Sequence, residues 1–411
     1  MKKNYLAMAA MAIGLLTFSA CSSDDDFGGE QTTTAKGEMQ DVELTFNIGV
    51  NSGKETRAGR PLYSAEALQR VNKMNVYYFK EDNGQYKYAG EVTSADNFGF
   101  QLTADEGNKT TQNTLKETLE EGASYKFLAI GLEDNGSAYS DFKTQLTAGT
   151  TVLENVKLTL GTGGVADEAF AGVSDVITIT DGKASKNPIK IQLNRVVAGV
   201  LGYFKNVPYK VNYGNNGLVQ VTKVVVKAVQ KGTDVKYVDN GTTVSNVWAA
   251  GTQNNTAYDL ITINLDGCTE VAGQNIYSNA NYKGYGENNV VVEENSFVGG
   301  QFVLPVVTKA STNTLVVELR GQVGSGEKVL KTFQVKKGGE IAYSLDANSF
   351  YSIGHKSTAD GTNGENGDED PDIDDPKDPD KDDDPVDLSK ETYIELTVNA
   401  AWSAIYDLDL E

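Results

Sequence analysis

Residues 391–411 read ETYIELTVNAAWSAIYDLDLE. The even positions Ile394, Leu396, Val398, Ala400, Trp402, Ala404, Tyr406, Leu408 and Leu410 are apolar, and most odd ones are polar. Side chains alternate faces on a β-strand, so this period of two marks a strand with one apolar face. At about 3.3 Å per residue, residues 394–410 would span roughly 56 Å, about three times a common strand. The stretch therefore has to serve two strands or two domains, with a break expected near Ala400-Ala401. The pattern recurs once, near the other end: VELTFNI at 42–48 against IELTVNA at 394–400. Its apolar row is Val42, Leu44, Phe46 and Ile48. Two segments with one pattern in one phase could fill one groove.

The bulk properties agree with a β-protein. The chain has 411 residues, enough for two ordinary domains. Glycine (42) and tyrosine (20) are plentiful and long 3.6-residue periodicity is absent, which favours an all-β fold with many turns. Lys and Arg total 36 against 57 Asp and Glu, a net charge of −21 that argues against nucleic acid or an anionic membrane as partner. Two cysteines, Cys21 and Cys268, and one histidine, His355, leave too few ligands for a His/Cys zinc cluster. No metal, cofactor or catalytic residue is expected, and no carboxylate pair stands out from the general acidic excess.

Residues 1–21 have the form of an export leader: Lys2 and Lys3, an apolar run Leu6–Phe18, then Ser19-Ala20 before Cys21. A cysteine there resembles a bacterial lipoprotein signal, which implies cleavage before Cys21 and acylation of it, with Phe18 where the motif usually has Leu. Ser22-Ser23-Asp24-Asp25-Asp26 resembles the export signal of surface-exposed lipoproteins in some Gram-negative anaerobes, or is simply a spacer. After the first strand, NSGKETRAGRPLY (51–63) reads as an exposed loop, the usual place for proteolytic nicking. Arg60 precedes Pro61, which obstructs a trypsin-like protease, so Arg57-Ala58 is the better site. A cut there would separate the leader and first strand from the rest.

From Val71 the alternation resumes. VNKMNVYYFK, Asn83-Gly84 and YKYAGEVT predict a hairpin. LKETLEEG (115–122) and Ser140–Leu146 read as short helical turns, and TVLENVKLTL (151–160) as a strand. NPIKIQLNRVVAGVLGYFK (187–205) passes from one strand to another, and the domain junction is placed near Asn194. Residues 360–387 hold 14 acidic and 2 basic residues, and the segment 359–390 is expected to be an extended, self-repelling linker. It lacks the spacing of an EF-hand loop, so weak ion condensation is the expectation there.

The leader ending at Cys21, TRA at 56–58, NRVVAGV at 194–200 and the Trp-bearing tail after NSFYSIG resemble the type V fimbrial pilins, the Mfa-like/FimA-like family of lipoprotein-derived subunits. The resemblance implies two transthyretin-like β-sandwiches in tandem. Its parts would be a signal peptide (1–21), a tether with a removable first strand (22–57), sandwiches at 58–193 and 194–358, the acidic linker (359–390) and a C-terminal donor strand (391–411). It also implies an arginine-specific protease acting after Arg57, and assembly with copies of itself and other pilins by strand exchange. The donor row would be Ile394 to Leu410, displacing Val42, Leu44, Phe46 and Ile48. The precursor would be lipid-anchored at the outer membrane and the product an extracellular adhesive fimbrium able to meet host or bacterial surface receptors. A tail together with a cut site implies a stalk subunit. The competing reading is a surface lipoprotein that stacks glycans on Tyr277, Tyr282, Tyr285, Trp248 and Trp402.

Overall fold

The computed structural model describes residues 36–50, 71–92, 109–133, 138–161, 165–238, 247–283, 292–308, 312–355 and 384–399. Among them the regular elements are β-strands and three short 3-10 turns. The chain is all-β.

The first half is built on β1 (Met39–Val50), β2 (Val71–Asp82), β3 (Gln85–Glu91), β4 (Lys109–Glu120), β5 (Ser124–Glu133), β6 (Lys157–Thr159), β7 (Ala169–Val173), β8 (Ile177–Thr180), β9 (Lys183–Ala184) and β10 (Ile189–Arg195). The main ladder has the order β3-β2-β5-β7-β10-β1-β4. β10 carries it round a corner: Ile189–Leu193 pair in parallel with Phe46–Val50, and then Asn194 and Arg195 pair with β7. This lays β1 across from β5 and β2. The core between them holds Val42, Leu44, Phe46 and Ile48 with Val76, Phe127, Ala129, Ile189 and Ile191. At the β2–β3 turn Asn83 (φ 55°) and Gly84 (φ 80°) are both left-handed, as a two-residue hairpin requires.

The segment 115–122, read from its composition as helical, is most of strand β4. Leu119 is buried and Leu115 partly so, and β4 runs antiparallel to β1 over its whole length. Helix propensity is a weak prior, and pairing with an apolar strand overrides it. Likewise 151–160 is a 3-10 turn, Leu153–Asn155, before the short β6. The turn Phe142–Gln145 stands within 140–146, where a helical turn was expected.

The second half begins with β11 (Ala198–Lys205). One sheet pairs 258–264, 223–228, 315–323, 326–336 and 393–395 in that order, and the other pairs 296–303, β11, 350–353 and 397–399. Their core includes Val224, Val226, Ile263, Leu319, Phe333, Tyr351 and Ile353. The halves are joined in two ways. β6 pairs with Asp234–Val238 of the second half, and one apolar cluster combines Phe79, Leu128 and Ile130 with Leu201, Tyr203, Phe302 and Phe350.

Candidate functional site: the place of strand β1

β1 alternates as its sequence requires. Val42, Leu44, Phe46 and Ile48 are fully buried, while Asp41 and Glu43 are exposed. Phe46 lies edge-on to Phe127, ring centroids 5.2 Å apart. Burying four such side chains contributes roughly 1.5–3 kcal/mol each before ordering costs. On one side the main chain pairs with β10, and just before that ladder starts Asn187 Oδ1 accepts from Thr45 N at 2.8 Å. On the other side it pairs with β4 over twelve residues, Met39↔Glu120 to Val50↔Lys109. Thus β1 is an interior strand. Taking it away leaves an apolar trough floored by Phe127 and Ala129, with β10 unpaired along one wall and β4 along the other. Main-chain groups so exposed recruit another strand.

β4 depends on β1 in turn, for β1 is its one ladder partner among the described residues. Its far end is held otherwise: Glu120 N donates to the Tyr125 hydroxyl, Lys80 pairs with Glu120, and the Glu121 carboxylate accepts from Asp181 N and Gly182 N at 2.8 and 3.0 Å. Sequence reasoning missed this dependence, because nothing in LKETLE names its partner.

Both copies of the repeated motif bury their apolar row, but they pair differently. In the second half Tyr393–Glu395 pairs in parallel with Gln334–Lys336, and Thr397–Asn399 pairs antiparallel with Phe350–Ser352. Ile394 (2% exposed) and Leu396 (5%) enter the core between the two sheets of the second half, and Val398 packs against it. β1 thus has both neighbours within one sheet, whereas the tail motif is divided between the edges of two sheets, 393–395 beside 334–336 and 397–399 beside 350–352. Of the expected donor row, Ile394, Leu396 and Val398 are engaged within their own chain. Ala400, Trp402, Ala404, Tyr406, Leu408 and Leu410 lie outside the described residues, as do Cys21, Arg57 and Ala58.

The end of the acidic segment is also docked. Val386 and Asp387 pair with Phe204 and Lys205, and Leu388 is fully buried. Burial works against ionisation of the Asp387 carboxylate, but hydrogen bonds from Ser389, Asn206 and Lys390 outweigh it and lower its pKa to about 2.

A second feature unseen in the sequence is the ion pair where β7 and β10 meet. Arg195 donates to Glu168 Oε1 through Nε at 2.9 Å and Nη2 at 2.7 Å, and lies over the Phe170 ring. Both charged residues are almost wholly buried.

Of the aromatic residues that could have stacked sugars, Tyr277 and Trp248 are buried and Tyr282 is partly buried. Tyr277 is fully buried and gives its hydroxyl proton to Val221 O. Tyr282 packs edge-on against Phe297 at 5.1 Å, and Trp248 is 4% exposed beside Tyr237. Tyr285 and Trp402 lie outside the described residues. Among the described residues no group of three or more His, Cys, Asp or Glu is gathered to hold a metal, and no helix is long and apolar enough to cross a membrane.

No protein-family model and no curated protein matches the chain. Solved structures similar to it include the fimbrilin FimA of Porphyromonas gingivalis W83 (13% identity, 87% of this chain and 96% of that one, TM-score 0.36). The fimbrial anchor protein Mfa2 of Porphyromonas gingivalis is another (16%, 68% and 78%, 0.35). A fimbrial assembly protein of Parabacteroides distasonis is a third (13%, 78% and 93%, 0.36).

Proposed function

We propose that this chain is a structural subunit of a surface filament of the fimbrial type. In this reading it is exported as a lipoprotein acylated at Cys21 and reaches the outer-membrane surface. It is cut after Arg57 by an arginine-specific protease and polymerises when residues 400–411 of one copy take the place of β1 in the next. Its assembly partners are further copies of itself and related subunits, and it stands in the extracellular stalk of an adhesive filament. Two tandem sandwiches of transthyretin type belong to the same reading.

The observation that carries it is the setting of β1. A strand with a fully buried row is clamped between two others, and it is joined to the rest of its chain through a segment, 51–70, that contains Arg57. One cut there converts a covalent part of the core into a separate peptide. A second copy's apolar strand can then replace it by β-augmentation. The place of β1 is in the first half and strand 397–399, after which the tail begins, is in the second, so the contact is head-to-tail, and it propagates as a filament when its rotation does not close into a ring.

The test is limited digestion of residues 22–411 with a trypsin-like protease, followed by electron microscopy and N-terminal sequencing. Controls are Arg57→Ala and a chain ending at Asn399. Filaments of subunits beginning at Ala58, lost in both controls, support the reading. Cut protein that stays monomeric contradicts it.

A further inference from the structure

The two walls of the place that β1 fills are held by different means. β10 is fixed from behind. Its Ile189, Ile191 and Leu193 are buried, Asn194 and Arg195 pair with β7, and Val196 N donates to Ala169 O at 2.9 Å. β7 in turn pairs with Leu128–Leu132 of β5, and none of these ladder bonds involves β1. β4 has no such backing among the described residues. Its ladder runs to β1 alone, and its outward side chains reach β1 too. Thr114 Oγ1 hydrogen-bonds with Thr45 Oγ1 at 3.0 Å, and Thr118 Oγ1 donates to Asp41 Oδ1 at 2.9 Å. The root of β4, by contrast, is anchored away from β1. Glu120 N donates to the Tyr125 hydroxyl, Gly122 N donates to Ile179 O at 2.9 Å, and the Glu121 carboxylate accepts from Asp181 N and Gly182 N. Gly122 is left-handed, φ 76°, a turn that glycine makes without strain.

We propose that β4 is a strap, hinged at Glu120–Gly122, that opens and closes over the strand lying against β10. β4 is antiparallel to β1, with Glu120 opposite Met39 and Lys109 opposite Val50. The hinge therefore stands at the start of β1, and the strap opens from the end where β1 runs on into 51–70. Opening gives up the ladder between β4 and β1 and leaves Phe46–Val50 paired with β10. A strand at the edge of a sheet, bonded on one side, opens at lower free energy than the ladders inside it. The use of the strap in assembly rests on the filament reading. An incoming strand would take its parallel ladder from β10 first, and β4 would then close over it and supply the antiparallel one. The newcomer would not have to thread between two fixed walls.

The test is hydrogen exchange of single amides in the full, uncut chain. The amides that β1 and β4 give each other should be at least tenfold less protected than those that β1 and β10 give each other. They should also be less protected, by the same factor, than the amides of Gly122, Gly182 and Val196. Equal protection on the two sides of β1, or loss of protection at Gly122 and Gly182 together with β4, would overturn the proposal. A second arm uses protein cut after Arg57 from which the first strand has left. There β4 should lose its protection while Val196 keeps its own, and a peptide of residues 39–50 should restore it. A β4 that stays protected with no strand beside it would also overturn the strap. A cut chain that keeps its first strand contradicts the filament reading instead, and the uncut chain then decides the strap alone.

Discussion

The ring of Phe46 meets that of Phe127 edge to face, with centroids 5.2 Å apart and planes at 74°. This contact couples a strand that one proteolytic event could release to the opposite wall of the core. Phe46→Ala should destabilise the uncut protein by about 3–5 kcal/mol, through lost burial and the cavity left behind. Urea unfolding of the full chain measures it. A change under about 1 kcal/mol would mean that the site collapses and that β1 is not held by this row.

The pair Arg195–Glu168 sits where β7 and β10 meet, away from water. Removing one member strands a buried charge, so Arg195→Ala should cost about 3–5 kcal/mol. The double change Arg195→Met with Glu168→Leu should cost much less, because neither charge is left behind. Denaturation midpoints of the three proteins compare the two outcomes directly. Equal losses in single and double variants would show that packing, not charge, accounts for the effect.

Truncation should separate two roles of the last residues. A chain ending at Lys390 loses the burial of Ile394 and Leu396, roughly 1.5–3 kcal/mol for each, and uncovers the core they enter. A chain ending at Asn399 keeps that burial and should unfold like the whole protein. Calorimetry of both would check this, and equal stability of the two truncations would contradict the self-docked placement of 393–399.

Asp387 should confer an acid dependence on the docking of 384–390. Its carboxyl is lowered from 3.8 to about 2 in the folded chain. A depressed pKa contributes stability that is complete above about pH 4 and is lost as the pH falls through about 2. Between these limits the stability difference between wild type and Asp387→Asn should shrink as acid is added. Chemical denaturation at several pH values measures the difference, and a gap that stays constant would remove Asp387 from the account.

Much of the fold was legible because strands declare themselves by period. Val42, Leu44, Phe46 and Ile48 alternate with polar residues, and Asn83-Gly84 announces its hairpin. What the sequence hid was partnership. LKETLE has helix-forming composition, and only the neighbouring β1 makes it a strand. VELTFNI and IELTVNA share a pattern because each buries one apolar row, but no residue in either states which strands it will pair with. The pairing of His355 with Asp384 across 28 residues, 12 of them Asp or Glu, leaves no local trace. Val386 and Leu388, two apolar residues at strand spacing, were the one signal that 384–390 had left the acidic segment. The buried Arg195 looked like any other arginine until β7 brought Glu168 beside it.

The central claim is that the place of β1 accepts residues 400–411 of another copy. The most direct measurement mixes a labelled peptide of that sequence with a chain ending at Asn399, before and after cleavage at Arg57, and follows binding by fluorescence anisotropy. The account predicts capture by the cleaved chain, release of the peptide containing 39–50, and no capture by the uncleaved chain or by Arg57→Ala treated alike. A cleaved chain that retains its first strand and ignores the peptide, or an uncleaved one that binds it equally well, would contradict the account.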